Sequence, residues 1–152
     1  MDNLGAVVGI IFNPQKLFPI VYSDKRHERN QQVYWKFAGG HIEEQDFCTN
    51  DGEKYSAESL LYAAQRAMLR EFTEETGITG FMELQHVCTK AKSDHLLYVF
   101  IGLSDLKGMR PPGVIGDTGE LVSLATHTEI LQMSGFLPAH RALFQEITGM
   151  LS

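Results

Sequence analysis

Cysteine is scarce in this chain: Cys48 and Cys88 are the only two among 152 residues. So distant a pair makes neither a disulfide framework nor a close metal-type pair, and the expectation is a reduced, cytoplasmic compartment. Long apolar runs are absent too. None approaches the ~20 residues that span a bilayer. The opening Met-Asp-Asn-Leu-Gly-Ala lacks the basic and long apolar regions of a signal peptide. A soluble protein with no membrane partner is expected. Basic charge is in short supply, with 13 Lys and Arg against 19 Asp and Glu and a formal net charge of −6. That balance speaks against a surface that coats a nucleic-acid polymer, which needs a basic stripe. The six histidines show no His-x-x-x-His spacing. No Ser-His-Asp arrangement or Gly-rich Walker loop is visible, so acyl transfer and P-loop chemistry have no support.

What is present fits one globular domain spanning residues 1–152, with 43% hydrophobic and 21% charged residues. Ala6–Phe12 is a continuous Val- and Ile-rich run that predicts a buried strand, closed by Asn13-Pro14. Leu17–Tyr22 predicts a second strand, with Pro19 marking an edge or a bulge. The charged stretch Asp24–Arg29 reads as a solvated loop. Val33–Ala38 predicts a third strand running into Gly39-Gly40, and Glu43–Glu53 an irregular loop. Ser56 is placed to cap a helix from Ala57 to Thr76, and Gly77 to stop it. Strand-like Phe81–Thr89 and His95–Leu103 follow, then a loop over Lys107–Thr118, a short strand at Glu120–Leu124, a helical turn at Glu129–Met133 and a closing helix Pro138–Leu151. Strands on both sides of a central helix predict a layered α/β or α+β domain.

The chemistry concentrates on the helix Ala57–Thr76. On a wheel of about 100° per residue, with Glu71 at zero, Leu60, Leu61, Ala64, Ala67 and Met68 fall within about 80° on either side and form an apolar stripe. Glu58, Tyr62, Arg66 and Thr73 lie opposite. Glu71, Glu74 and Glu75 continue the apolar stripe at i, i+3 and i+4, so the core-facing side becomes triply acidic in the last turn. Like charges crowd there at the negative pole of the helix, and a compensating positive charge is required. Arg70, four residues before Glu74, supplies one. One arginine does not offset three glutamates, and oxygen-only ligands at one point suit a hard cation, magnesium or manganese. Such an ion reverses the local sign of an acidic site and admits a nucleotide substrate. The bland alternative is a solvated acidic helix end.

Arg70-Glu71-Phe72-Thr73-Glu74-Glu75-Thr76-Gly77-Ile78 resembles the second half of the Nudix box, Arg-Glu-apolar-x-Glu-Glu-x-Gly-apolar. Gly39-Gly40-His41-Ile42-Glu43 resembles its opening, Gly-Gly-x-apolar-Glu, and is preceded by a strand-like segment. The resemblance to the Nudix (MutT-like) hydrolase family is compatible with the whole chain. It implies an α/β/α sandwich around a mixed central sheet. One departure stands out: Gly40 precedes Arg70 by thirty positions where the family has fourteen, so an insertion of sixteen residues separates the two halves. Gly52-Glu53 is a candidate for the later Gly-Glu of the box, and Glu43, Glu53 and Glu58 are candidates for its early glutamate.

What the resemblance implies is hydrolysis of a phosphoanhydride bond in a nucleoside diphosphate linked to another moiety, by water attack at phosphorus with Mg²⁺ (or Mn²⁺) as cofactor. Glu71, Glu74 and Glu75 are then the expected metal ligands, with a backbone carbonyl of Gly39 or Gly40 completing the shell. The candidates for the catalytic step are Glu74, Arg70 and Glu120. Glu74 is a box acid able to act on the attacking water, Arg70 orients a glutamate by an ion pair, and Glu120 is an acid from a later loop. Asp117 is the alternative loop acid. Lys36, alternating with Trp35 and Phe37 on a strand, is placed to meet a phosphate together with Gly39 and Gly40. The two aromatics either stack a base or pack in the core. Two rivals come from different classes. A non-catalytic Nudix-fold sensing or protein-binding module is expected to lose box acids, which this chain keeps. An isoprenoid diphosphate isomerase needs a cysteine and a glutamate across a cavity, and neither Cys48 nor Cys88 is obviously placed for that. The substrate's second moiety, the number of metal ions and a possible homodimer stay open.

Overall fold

The computed structural model describes residues 4–23, 34–47 and 56–151. Asp24–Arg29, Cys48 and the Gly52-Glu53 pair lie outside the described residues. The described residues form β1 (Ala6–Phe12), β2 (Phe18–Ser23), β3 (Trp35–Lys36), β4 (Gly39–His41), α1 (Ala57–Thr76), β5 (Met82–Ala91), β6 (Leu96–Ser104), β7 (Glu120–Ala125), α2 (His127–Gln132) and α3 (Pro138–Leu151). A 3₁₀ turn, Glu44–Asp46, lies within what the composition of Glu43–Glu53 marks as an irregular loop.

The central sheet is mixed, in the order β4-β1-β6-β5, with β1 parallel to β6 and the outer pairs antiparallel. A second, antiparallel sheet runs β3-β2-β7. Strand β1 is apolar throughout because it is covered on both faces. Val7 and Ile11 join the cluster under α1, with Ala64, Met68 and Phe72. Val8 and Ile10 join the opposite cluster with Phe37, Leu143, Phe144 and Ile147 near or on α3. Such two-sided burial turns an alternating pattern into a continuous run. Helices on both faces of a mixed sheet make the α/β/α sandwich.

Several expectations need correcting. The single strand expected over Val33–Ala38 is, among the described residues, the short β3, while Gly39–His41 pairs in the other sheet as β4. The chain switches sheets between Lys36 and Gly39. Strand β2 is a central strand of its sheet, not an edge, yet Pro19 is tolerated because β3 pairs with Val21 and Tyr22 and, among the described residues, leaves that flank of Pro19 without a strand partner. On α1, Leu61 is exposed, and the buried stripe is Ala63, Ala64, Ala67, Met68, Phe72, Glu75 and Thr76, centred nearer Glu75 than Glu71. The helix ends follow local chemistry. Ser56 caps the N-terminus by accepting from the Ser59 amide, and Gly77 stops the helix in the left-handed region at φ 83°. Phe37 is fully buried against Phe136, Phe144 and His140, which decides for core packing. The Phe37 amide donates to His140 Nδ1 at 3.1 Å, so the half-buried His140 serves as a packing and hydrogen-bonding partner of Phe37.

Candidate active site

Three helical turns of apolar packing carry α1 against β1 and β4, and that contact decides how deep each glutamate lies. Glu75, on the centre line of the buried stripe, is only 7% exposed. Glu71 is half-buried, and the Glu74 side chain lies at the rim with 42% exposure. The triad is therefore graded from interior to solvent and not uniformly buried.

Strand β4 closes over it. The Gly39 amide donates to Glu75 Oε1 at 2.9 Å. Gly40 lies so close to Glu71 that a Cβ there would stand 2.4 Å from its carboxyl carbon, and one on Gly39 would stand 2.2 Å from the Val7 carbonyl oxygen. Both glycines are needed because the sheet, the strand crossing it and the acidic helix end meet without room for a methyl group. Lys36, just before the sheet switch, exerts an electrostatic pull on Glu75.

Burial pushes the Glu75 carboxyl up to about 7, against the pull of Lys36 and of the Gly39 amide, and the neighbouring charges of Glu71 and Glu120 push it the same way. Glu71 is also raised by burial, while Arg70 opposes the shift. Acids that hold protons unusually well, clustered against one another, suit a site built for an added positive charge.

Arg70 serves more carboxylates than the i, i+4 spacing suggests. Its Nε and Nη2 donate to the two oxygens of Asp46 at 3.0 and 2.9 Å, a bidentate fork. Nη1 donates to Glu71 Oε1 at 3.0 Å and lies 3.6 Å from Glu74 Oε2, and Nη2 also reaches the His41 carbonyl at 3.2 Å. The hydrogen bond to Asp46 is the main reason its pKa is raised further above the ordinary arginine value. Asp46 is 3% exposed and also accepts from the Glu43 amide at 2.8 Å. The buried carboxylate facing the arginine is thus Asp46. Among the early-glutamate candidates, Glu43 is 3.9 Å from Arg70, Glu58 is exposed at the far end of α1, and Glu53 lies outside the described residues. Sequence reasoning missed Asp46; its only trace is the Glu43-x-x-Asp46 spacing of a capping box.

The later acids separate clearly. Glu120 is buried at the start of β7, close enough to Glu75 to raise its pKa, and accepts from the Thr118 hydroxyl. Asp117 is exposed and joins no ion pair among the described residues. Arg110 is a second residue missed: its guanidinium donates to the carbonyls of Glu74, Glu75 and Glu120. No local signal announces it, since Arg110 lies 35 residues from Glu75. The fold thus gathers Lys36, Gly39, Gly40, Arg70, Glu71, Glu74, Glu75 and Glu120 at one place.

Among the described residues, no three His, Cys, Asp or Glu side chains stand ready-made as a metal-holding group. The donor chemistry still fits a hard cation, because the site offers carboxylate oxygens alone. Oε1 of Glu71 is held by Arg70 and Oε1 of Glu75 by Gly39, while neither Oε2 accepts a hydrogen bond from a described residue. An apolar hollow of about 370 Å³ lined by Ile10, Phe12, Phe18 and Ile101 lies in the other core layer and shares no residue with the glutamates.

No family model and no curated protein sequence matches the chain. Solved structures do. A MutT structure from work on the Aliivibrio salmonicida and Vibrio cholerae proteins is 23% identical with a TM-score of 0.61, covering 96% of this chain and 97% of that one. A NUDIX-family hydrolase from Clostridium perfringens is 13% identical with a TM-score of 0.64 and full coverage of both chains. A MutT protein from Methanosarcina mazei Go1 is 19% identical with a TM-score of 0.59, covering 97% and 94%. The chain has the fold of these Nudix proteins along nearly its whole length.

Proposed function

We propose that the chain is a Nudix hydrolase that cleaves a phosphoanhydride bond in a nucleoside diphosphate linked to another moiety. The observation that carries this reading is the burial of Glu75 between Glu71, Glu120 and the Gly39 amide, with Lys36 as its cationic neighbour. A solvated acidic helix end would show none of this. Glu71, Glu74 and Glu75 are assigned as ligands of Mg²⁺ (or Mn²⁺), with a backbone carbonyl at Gly39 or Gly40. Bound there, the ion neutralises phosphate charge and lowers the pKa of water.

The chain's own groups divide the remaining work. Lys36 binds a phosphate oxygen from the side of the site facing Glu75. Asp46 fixes the Arg70 guanidinium, and Arg70 fixes Glu71, so that carboxylate is oriented before substrate arrives. Water forms a bond to phosphorus, the bridging P–O bond breaks, and the departing phosphate keeps the electron pair. The water's proton passes to a carboxylate, for which Glu120 is the first candidate, with one oxygen oriented by Thr118, and Glu74 the second. The sixteen-residue insertion between Gly40 and Arg70 is assigned to substrate selection or a homodimer contact. Deleting it is expected to change substrate preference more than metal dependence, and an unchanged substrate profile would refute that role.

The deciding experiment is a hydrolysis screen of nucleoside diphosphate derivatives with Mg²⁺ and with a chelator. Turnover of at least one derivative that stops with chelator supports the reading. Binding of a derivative with no turnover under any metal supports the rival, a Nudix-fold module that senses a nucleotide or a partner.

A further inference from the structure

Helix α1 ends in carbonyls that no helical amide reaches. Gly77 satisfies Thr73. The next three, Glu74, Glu75 and Thr76, are all reached by one residue: the Arg110 amide donates to Thr76 at 3.0 Å, Nη1 to Glu74 at 3.4 Å, and Nη2 to Glu75, with the Thr118 hydroxyl a second donor to Glu74 at 3.4 Å. Nη2 also reaches the carbonyl of Glu120 on β7 at 3.3 Å. Gly116 packs flat on this fork, since a Cβ there would stand 2.3 Å from Cζ and within 2.6 Å of both terminal nitrogens. None of the ion pairs among the described residues involves Arg110. Its charge is therefore directed at backbone carbonyls and the negative pole of the helix, leaving the carboxylates unpaired with it.

From this geometry we infer that Arg110 is a positioning residue, a clamp that holds the end of α1 and the start of β7 together and thereby sets Glu74 and Glu75 against Glu120. The inference rests on the hydrolase reading above. A planar fork is required, because two elements are bridged from one nitrogen while a second nitrogen grips the helix; an ammonium on a flexible stem does not hold that geometry. A plain helix cap would contribute stability and nothing else.

Two variants separate these roles. Arg110→Lys keeps the charge and loses the fork. Gly116→Ala keeps Arg110 and pushes its guanidinium aside, and it decides the matter if the lysine variant does not fold. Mg²⁺ affinity is read by calorimetry on the metal-free protein, alongside kcat, KM and melting temperature. With metal-free stability within a few degrees of wild type, a clamp predicts Mg²⁺ affinity lower by about tenfold and kcat lower by about ten- to a hundredfold at little-changed KM, as expected for a small misplacement of reacting groups. Wild-type Mg²⁺ affinity and kcat in either folded variant overturn the clamp. An activity loss that only follows the melting temperature, and disappears on cooling the assay, overturns it as well. A wild-type protein that neither binds Mg²⁺ nor hydrolyses any derivative instead overturns the parent reading, and the clamp with it.

Discussion

Gly39 donates its amide to Glu75 Oε1 at 2.9 Å across 36 residues of sequence. This bond joins the two halves of the motif physically. It ties the sheet-switching strand to the buried acid of α1.

The two adjacent glycines should therefore fail differently. Gly39→Ala drives a methyl into the Val7 carbonyl oxygen at 2.2 Å, a backbone atom that cannot turn away. A stability loss of about 1–3 kcal/mol is expected, read by urea denaturation. Gly40→Ala meets the Glu71 carboxyl first, at 2.4 Å, and that side-chain end can swing aside. Its melting temperature should stay near wild type while turnover falls on the order of a hundredfold. Equal effects of both substitutions on stability would count against this geometry.

Asp46 is the buried anchor of Arg70. Asp46→Ala takes the bidentate partner from a half-buried guanidinium and leaves it Glu71, Glu74, the His41 carbonyl and the distant Glu43, and a loss of about 3 kcal/mol is expected for removing one partner of a buried pair. The freed Arg70 should also compete for Glu71, so the Mg²⁺ concentration for half-maximal activity should rise. Glu43→Ala, at a contact of 3.9 Å, should do neither.

Glu75 makes stability depend on pH in an unusual direction. Its folded pKa, about 7, lies above the ordinary carboxyl value of 4.5. Between those values the folded state holds more protons than the unfolded one, so metal-free stability is fully present below about pH 4.5 and is lost as pH rises through 7. The loss amounts to at most about 3 kcal/mol. Unfolding midpoints in chelator at pH 5 and pH 8 measure it, with Glu75→Gln as the control that should flatten the difference. Added Mg²⁺ should restore more stability at pH 8 than at pH 5. A wild-type midpoint as flat as that of Glu75→Gln would remove the basis for this prediction.

The loop acids are distinguished by burial. Glu120→Gln should lower kcat by about 10²–10⁴ if this carboxylate takes the proton, while Asp117→Asn, exposed, should stay within about twofold. Steady-state kinetics on whichever derivative the screen identifies would decide, and the reverse ranking would reassign the base.

Much of the local structure was legible because its causes are local. Ser56 and Gly77 bound α1 at the residues expected, through a side-chain cap and a left-handed stop. The run Ala6–Phe12 and the segment Pro138–Leu151 became the elements their patterns dictate. The sheet switch between Lys36 and Gly39 was not legible, since it depends on which partner each strand finds: Tyr22 for Trp35 and Val8 for Gly39.

The sequence by itself determined that three carboxylates share one helix face, because helical periodicity is a local property, and that an arginine stands beside them. Tertiary structure decided how deep each one lies, because depth depends on packing against β1 and β4. It also decided which distant groups compensate them. Asp46 reaches Arg70 across 24 residues of sequence, and Arg110 and Glu120 arrive from a loop and a strand that meet the helix end. Contacts of that kind are set by long-range burial and electrostatics, and no window along the chain contains both partners.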